Sequence, residues 1–143
     1  MAQEAGKMTK RRTIADRYEA AAMRMFKRHR ITWEEQAIRR LAIALTDGRR
    51  HIRAPRPRTA MAFYVFAHEI AHVVFGHNTW PTTALGQADE VQADLWAMAR
   101  LRRIRGYIPA TVERAARAEV GRALRYLMVS GALSLEATER FLR

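Results

Sequence analysis

The sequence predicts a mainly helical domain with at most a small sheet or hairpin. Three observations carry this. Apolar residues recur at three- and four-residue spacing through most of the chain, the period of a helix with one buried face. Gly48, Gly76, Gly106 and Gly131 fall where those periodic stretches stop. A single short stretch, HIRAP at 51–55, reads as extended.

Taken in order, residues 1–12, MAQEAGKMTKRR, are basic with no apolar run behind them. They are expected to form a disordered tail and not a secretory signal. Residues 13–143 are expected to form a single domain. Ile14, Tyr18, Ala21, Ala22, Met25, Phe26 and His29 lie at helical spacing. Thr32-Trp-Glu-Glu35 matches a capping box, which predicts a second helix with Trp33, Ala37, Ile38, Leu41, Ala42 and Leu45 inward. Asp47-Gly48 ends it. Pro55 and Pro57 forbid helix around HIRAP and bias their predecessors to extended geometry. Thr59 is placed to cap a helix running to about Gly76, and NTWPTTALGQ (78–87) has loop composition. Further helices are expected over about 87–105 and 110–130, with Pro109 near the start of the latter. Ser134 is placed to cap a short last one, 135–142.

The bulk composition limits the chemistry. The 143 residues are 49% hydrophobic and 28% charged, the balance of a globular chain. No apolar run approaches the roughly 18 residues of a membrane helix, so no membrane partner is expected. Cysteine is absent, which excludes disulfides, thiol nucleophiles and cysteine-held zinc, and fits a cytoplasmic location. A formal charge of +12 attracts anions. Arg49, Arg50, Arg53, Arg56 and Arg58 form its one dense cluster. That cluster is either a solvated basic face or a surface for DNA or a DNA-bound regulator.

The chemistry concentrates in HEIAH: His68, Glu69, Ile70, Ala71 and His72, set in the apolar stretch MAFYVFAHEIAHVVFGH. Residues i and i+4 of a helix share a face, so both imidazoles can reach one ion. Glu69 then lies on the flank of the pair, where it can take a proton from water activated by the ion. A catalytic zinc normally has three protein ligands, so a third is needed. The metzincin spacing fails, because its histidine and glycine positions hold Asn78 and Phe75. A better source is ADEVQADLWAMA (88–99), where Glu90 and Asp94 lie one turn apart and the small Ala93 permits close helix approach. Glu90 is the expected third ligand. Asp94 is the expected acceptor for the second N–H of a ligating histidine. Asp89, about 100° around the helix from Glu90, is the outside alternative.

HExxH followed by ExxAD resembles the gluzincin metallopeptidases. YVFAHEIAHVVFGH followed by ADEVQADLWAMARL resembles their ImmA/IrrE-type branch over about residues 50–106. The resemblance implies a mainly α (α+β), zincin-like fold and an intracellular zinc peptidase acting on regulatory proteins. It implies one Zn2+ per chain held by His68, His72 and Glu90, with Glu69 as general base and Asp94 behind the ligands. Many such proteins also carry a DNA-binding helix-turn-helix, a signature this sequence does not show.

An oxyanion donor is also required, and Tyr64, Tyr107, Arg58 and His77 are all open. His77 is otherwise a residue interacting with a helix C-terminus. His29 and His51 are expected to carry no function. Trp33 and Trp96 read as packing, and Trp80 as either cleft lining or a core cover. The alternative function is a basic nucleic-acid- or regulator-binding module in which zinc serves only the fold.

Overall fold

The computed structural model describes residues 11–35, 50–77 and 84–129. Among them run α1 (Ile14–His29), β1 (Thr32–Glu35), β2 (His51–Ala54), α2 (Ala60–Val74), α3 (Ala84–Arg105) and α4 (Ala110–Val129). The chain is therefore mainly helical, with four helices and one two-stranded sheet among the described residues. The expectations for residues 1–10, for 36–49 including Arg49, for Trp80 and for the terminal helix at 135–142 lie outside them.

Helix α1 opens on a reciprocal capping box. The Thr13 hydroxyl accepts from the Asp16 N–H, and the Thr13 N–H donates to the Asp16 carboxylate. Two of the orphan donors at the helix start are thereby satisfied. The helix closes at Arg30, whose left-handed φ of 54° lets the next amide, Ile31 N–H, bond to Phe26 O. Tyr18, Ala22 and Phe26 face the core, one turn apart.

Two stretches differ from the sequence expectation: residues 84–87, expected as loop, already belong to α3, and the second difference is one of type. Thr32–Glu35 is a strand, not the start of a helix, and pairs in parallel with β2 in the register Thr32↔His51, Trp33↔Ile52. The Thr-x-x-Glu pattern fits either state, and tertiary contacts decide. The Trp33 indole N–H donates to Ala54 O at 3.0 Å, and its ring lies against Phe26 and Phe66. Arg53 closes on Glu34 across the same pair of strands. Thr and Trp are also residues that suit a half-buried pleated surface. The extended reading of HIRA holds, and the sheet is not a hairpin.

Helix α2 starts where Thr59 accepts from the Ala62 N–H at 3.1 Å. Its buried positions run from Ala62 to Ala71 with little interruption, because α1, α3, α4 and β2 all pack on it. A helix apolar on nearly every side belongs at the centre of a domain. Phe63, Phe66, Ile70 and Ile52 form the core with Leu101 of α3. Each such side chain contributes about 1.5–3 kcal/mol of burial. Ala93 and Ala97 are fully buried on α3, so small side chains let its backbone approach α2. Helix α4 buries Val112, Ala116 and Val120, spaced by one turn each, with Val120 and Ala123 meeting Val91 of α3. No helix among the described residues is long and apolar enough to cross a membrane.

Candidate metal centre

His68, Glu69 and His72 form a buried group whose ligand-capable atoms lie within 4.8 Å of one another, and this group could hold a metal ion. The i, i+4 spacing on α2 puts His68 Nε2 and His72 Nε2 3.0 Å apart. Glu90 reaches across from α3 and straddles the pair. Its Oε2 lies 3.0 Å from His68 Nε2, and its Oε1 lies 3.3 Å from His72 Nε2. Ligands bound tetrahedrally at about 2.0–2.1 Å are separated by roughly 3.3 Å. The spacing of the His/His/Glu trio is therefore compatible with three ligands of one small divalent ion to within a few tenths of an ångström. The Glu69 carboxylate stands aside, 3.9 Å from His68 Nε2.

Protonation follows from the same contacts. Burial pulls the His68 imidazole down, but hydrogen bonds to Asp94 and Glu90 and the charges of Asp94 and Glu69 outweigh it, and its pKa is pushed up to about 11. Burial opposes the Glu90 charge, yet the two histidines hold its pKa down to about 2. Burial, tempered by His68 and reinforced by Glu90, pushes Glu69 up to about 8. The cluster thus calls for positive charge at the meeting point of the Nε2 atoms. A divalent cation there supplies that charge while leaving both imidazoles neutral. With no thiolate in the set, the donors are those that suit zinc and other borderline divalent ions.

Each histidine is gripped from behind at Nδ1. His68 Nδ1 lies 2.7 Å from Asp94 Oδ1, which also accepts the Tyr64 hydroxyl in a short hydrogen bond. Asp94 is 1% exposed, and its Oδ2 has no partner among the described residues. Burial and Asp94 both raise the Tyr64 phenol well above its ordinary range, so it stays a donor. His72 Nδ1 meets His77 Nδ1 at 2.9 Å, and His77 Nε2 meets Gln92 Oε1 at 2.8 Å and Asp89 Oδ1 at 3.4 Å.

No family model, curated protein or solved structure matches the chain.

The structure thus brings together His68, Glu69, His72, Glu90 and Asp94, and places the remaining site residues as follows. The Tyr64 hydroxyl is spent on Asp94, and His77 stands behind His72. Tyr107 is 53% exposed beyond the far end of α3, its hydroxyl accepting from Arg105. Arg58 pairs with Glu19 and Asp16. Tyr64, His77 and Arg58 are therefore engaged with other protein groups, and Tyr107 lies away from the cluster. Asp89, the alternative ligand, faces His77. Two residues near the cluster carry no motif and escaped sequence reasoning. One is Gln92, whose amide orients His77. The other is Glu119 of α4, half-buried and raised in pKa by burial and by the charge of Asp94. A glutamine two residues past Glu90 was a visible signal for the first, while nothing in the sequence set Glu119 apart from its neighbours.

Of the arginine cluster, Arg53 pairs with Glu34, and Arg56 and Arg58 share Glu19. Arg50 donates to the neutral His29 O and keeps its charge.

Proposed function

We propose that the chain is a zinc-dependent endopeptidase of the ImmA/IrrE type, acting on an intracellular regulatory protein. The observation that carries this reading is the packing of His68 Nε2, His72 Nε2 and the Glu90 carboxylate at 3.0–3.3 Å, with the buried Glu69 carboxylate beside them, 3.9 Å from His68 Nε2. A purely structural site gains nothing from a proton acceptor at its edge.

His68, His72 and Glu90 would hold the ion. Zinc bound there supplies a Lewis acid that polarises the scissile carbonyl and makes water easier to deprotonate. Glu69 takes the proton from the attacking water and passes it to the departing amine nitrogen. Burial raises the Glu69 carboxyl in the metal-free chain, and a divalent ion held beside it would favour the carboxylate again, the form that accepts the proton. Asp94 and His77 act through the ligands. Each occupies one Nδ1, leaving Nε2 as the lone-pair nitrogen that faces the ion.

Mass-spectrometric metal analysis of wild type, Glu90→Ala and Glu69→Gln tests the ligand set. The expected result is about one zinc per chain in wild type and Glu69→Gln and a large loss in Glu90→Ala. Peptidase assays on a panel of protein substrates test the activity. Hydrolysis that is as fast in Glu69→Gln as in wild type would exclude this mechanism.

A further inference from the structure

We infer that the chain binds the phosphate backbone of a nucleic acid along a groove between α1 and α3, a surface away from the metal centre that shares only Arg50 with the described part of the 49–58 cluster. Arg12, Arg17, Arg24 and Arg103 line its first stretch. Arg24, Arg28, Arg100 and Arg103 line the middle, a depression of about 420 Å3 floored by Met25, Phe63 and Ile104. Arg28, His29, Arg30 and Arg50 line the last. Neighbouring stretches share residues, so they form one track. Among the described residues, eight arginines and no carboxylate line it.

The contrast with the 49–58 cluster is instructive. Arg53, Arg56 and Arg58 are paired with Glu34, Glu19 and Asp16, whereas no ion pair among the described residues joins a groove arginine to a carboxylate. Several groove arginines are instead positioned by neutral groups. Arg17 donates to Ile104 O at 2.6 Å, Arg50 donates to His29 O at 2.6 Å, and the Arg100 guanidinium lies 4.5 Å from the Trp96 ring centroid. Arg30 and Arg50 both hold left-handed backbone, at φ 54° and 56°, at the same end of the track. These contacts restrict the side chains without cancelling their charge. Preordered, uncompensated cations in a row form an anion site with part of its entropy cost already met. Arg100 is pulled below its usual range by burial and by the charges of Arg103 and Arg28, an unfavourable crowding that an anion relieves.

The length of the track favours a polyanion over a single phosphate. Helix α1 has 16 residues, about 24 Å at 1.5 Å per residue. That covers roughly seven nucleotide steps of 3.4 Å. An acidic protein segment is the competing occupant, but it spaces its charges irregularly, whereas a phosphate backbone presents one at every step.

The test is fluorescence anisotropy of the full chain with a labelled mixed-sequence duplex of roughly 20 base pairs, from about 50 to 200 mM salt. Arg24, Arg28 and Arg103 are exposed, so Arg24→Gln/Arg28→Gln/Arg103→Gln is expected to fold as wild type does, as checked by circular dichroism. It should bind at least about tenfold more weakly at low salt, with a log–log salt slope shallower by about 2.7. Arg114→Gln/Arg117→Gln/Arg125→Gln on α4 removes the same net charge and should leave affinity within about threefold and the slope unchanged. Arg24→Lys/Arg28→Lys/Arg103→Lys keeps the charge and should bind like wild type. The inference is overturned by no wild-type binding at about 50 mM salt, by equal losses in the two Gln triples, by an equal loss in the Lys triple, or by polyglutamate displacing the duplex as well as unlabelled duplex does.

Discussion

His68 and His72 sit one turn apart on the same helix, yet their rings are held by opposite kinds of chemistry. Behind His68 stands a fully buried carboxylate, Asp94, with a tyrosine hydroxyl on the same oxygen. Behind His72 stands the ring of His77, backed by a glutamine amide and a more distant aspartate. In the proposed zinc site both arrangements would do one geometric job, holding a proton on Nδ1 so that Nε2 is left for the ion. They differ in charge. Asp94 strengthens the basicity of its imidazole and adds a negative charge beside Glu90 and Glu69, whereas His77 orients its partner and adds none. A further carboxylate directly behind His72 would deepen the negative potential around Glu69 and lift its proton affinity further. In the metal-free chain burial, with the charges of Glu90, Glu119 and Asp94, already raises Glu69 to about 8 against the pull of His68.

The contrast is broken most severely at Asp94. Asp94→Asn retains the shape but removes the charge from two buried hydrogen bonds, from His68 and from Tyr64. Zinc affinity should fall about 10–100-fold in competition with a chelator. Folding stability should drop by about 1.5–3 kcal/mol, read by denaturant titration of the metal-free chain. An unchanged affinity would mean that the carboxylate serves the fold alone.

His77→Ala comes next. It removes the ring behind His72 but leaves no buried charge unpaired, so zinc affinity should fall about tenfold, at the lower end of the effect of losing such a partner. Core stability should be nearly untouched. If His77→Ala costs as much as Asp94→Asn on both readouts, the two supports are equivalent and the charge difference is without consequence.

The pH dependence of the metal-free chain separates them further. The His68 pKa is raised in the fold from 6.5 to about 11, so its stabilisation is complete below pH 6.5 and is lost as pH climbs toward 11. Glu69, raised from 4.5 to about 8, acts in the same direction between those values. With metal chelated, the melting temperature should therefore fall by at least about 4 °C as pH rises from about 6.5 to 9, the shift produced by roughly 1 kcal/mol in a domain of this size. Asp94→Asn should flatten this slope, while His77→Ala should preserve it. A melting temperature that rises over that interval would contradict the protonated His68–Asp94 pair.

What the sequence revealed of this architecture follows the range of the interactions involved. His68, Glu69 and His72 were legible because a helix converts four-residue spacing directly into a shared face. Glu90 and Asp94 were legible because a second regular helix does the same, and Ala93 announced the close approach. His77 was visible but its role was not. Its ring reaches back to His72 only through the turn after Val74, with Gly76 at φ +67°, a geometry that residue spacing does not encode. Thr32–Glu35 departs from its helix expectation for a related reason. Its local pattern suits a helix start, and only the distant partners Ala54, Phe66 and Arg53 make it a strand. The arginines show the same limit. The 49–58 cluster is dense in sequence but paired in space, while the unpaired track is assembled from residues up to about 90 positions apart.

Gln92 offers the finest probe of the two supports. For His72 Nδ1 to carry its proton, His77 Nδ1 must accept, so His77 Nε2 carries a proton and needs an acceptor of its own. Gln92 Oε1 at 2.8 Å is the first choice, and Asp89 Oδ1 at 3.4 Å is close enough to take over after a small rotation. Gln92→Ala alone should therefore change zinc affinity by no more than about threefold, below the effect of losing a sole outer partner. Gln92→Ala combined with Asp89→Ala leaves the His77 N–H without either acceptor and should approach the His77→Ala loss. The interaction energy of that double-mutant cycle measures the redundancy. A single Gln92→Ala loss as large as that of His77→Ala would show that Asp89 does not substitute. The His72 support would then be a single-file chain, as dependent on each link as His68 is on Asp94.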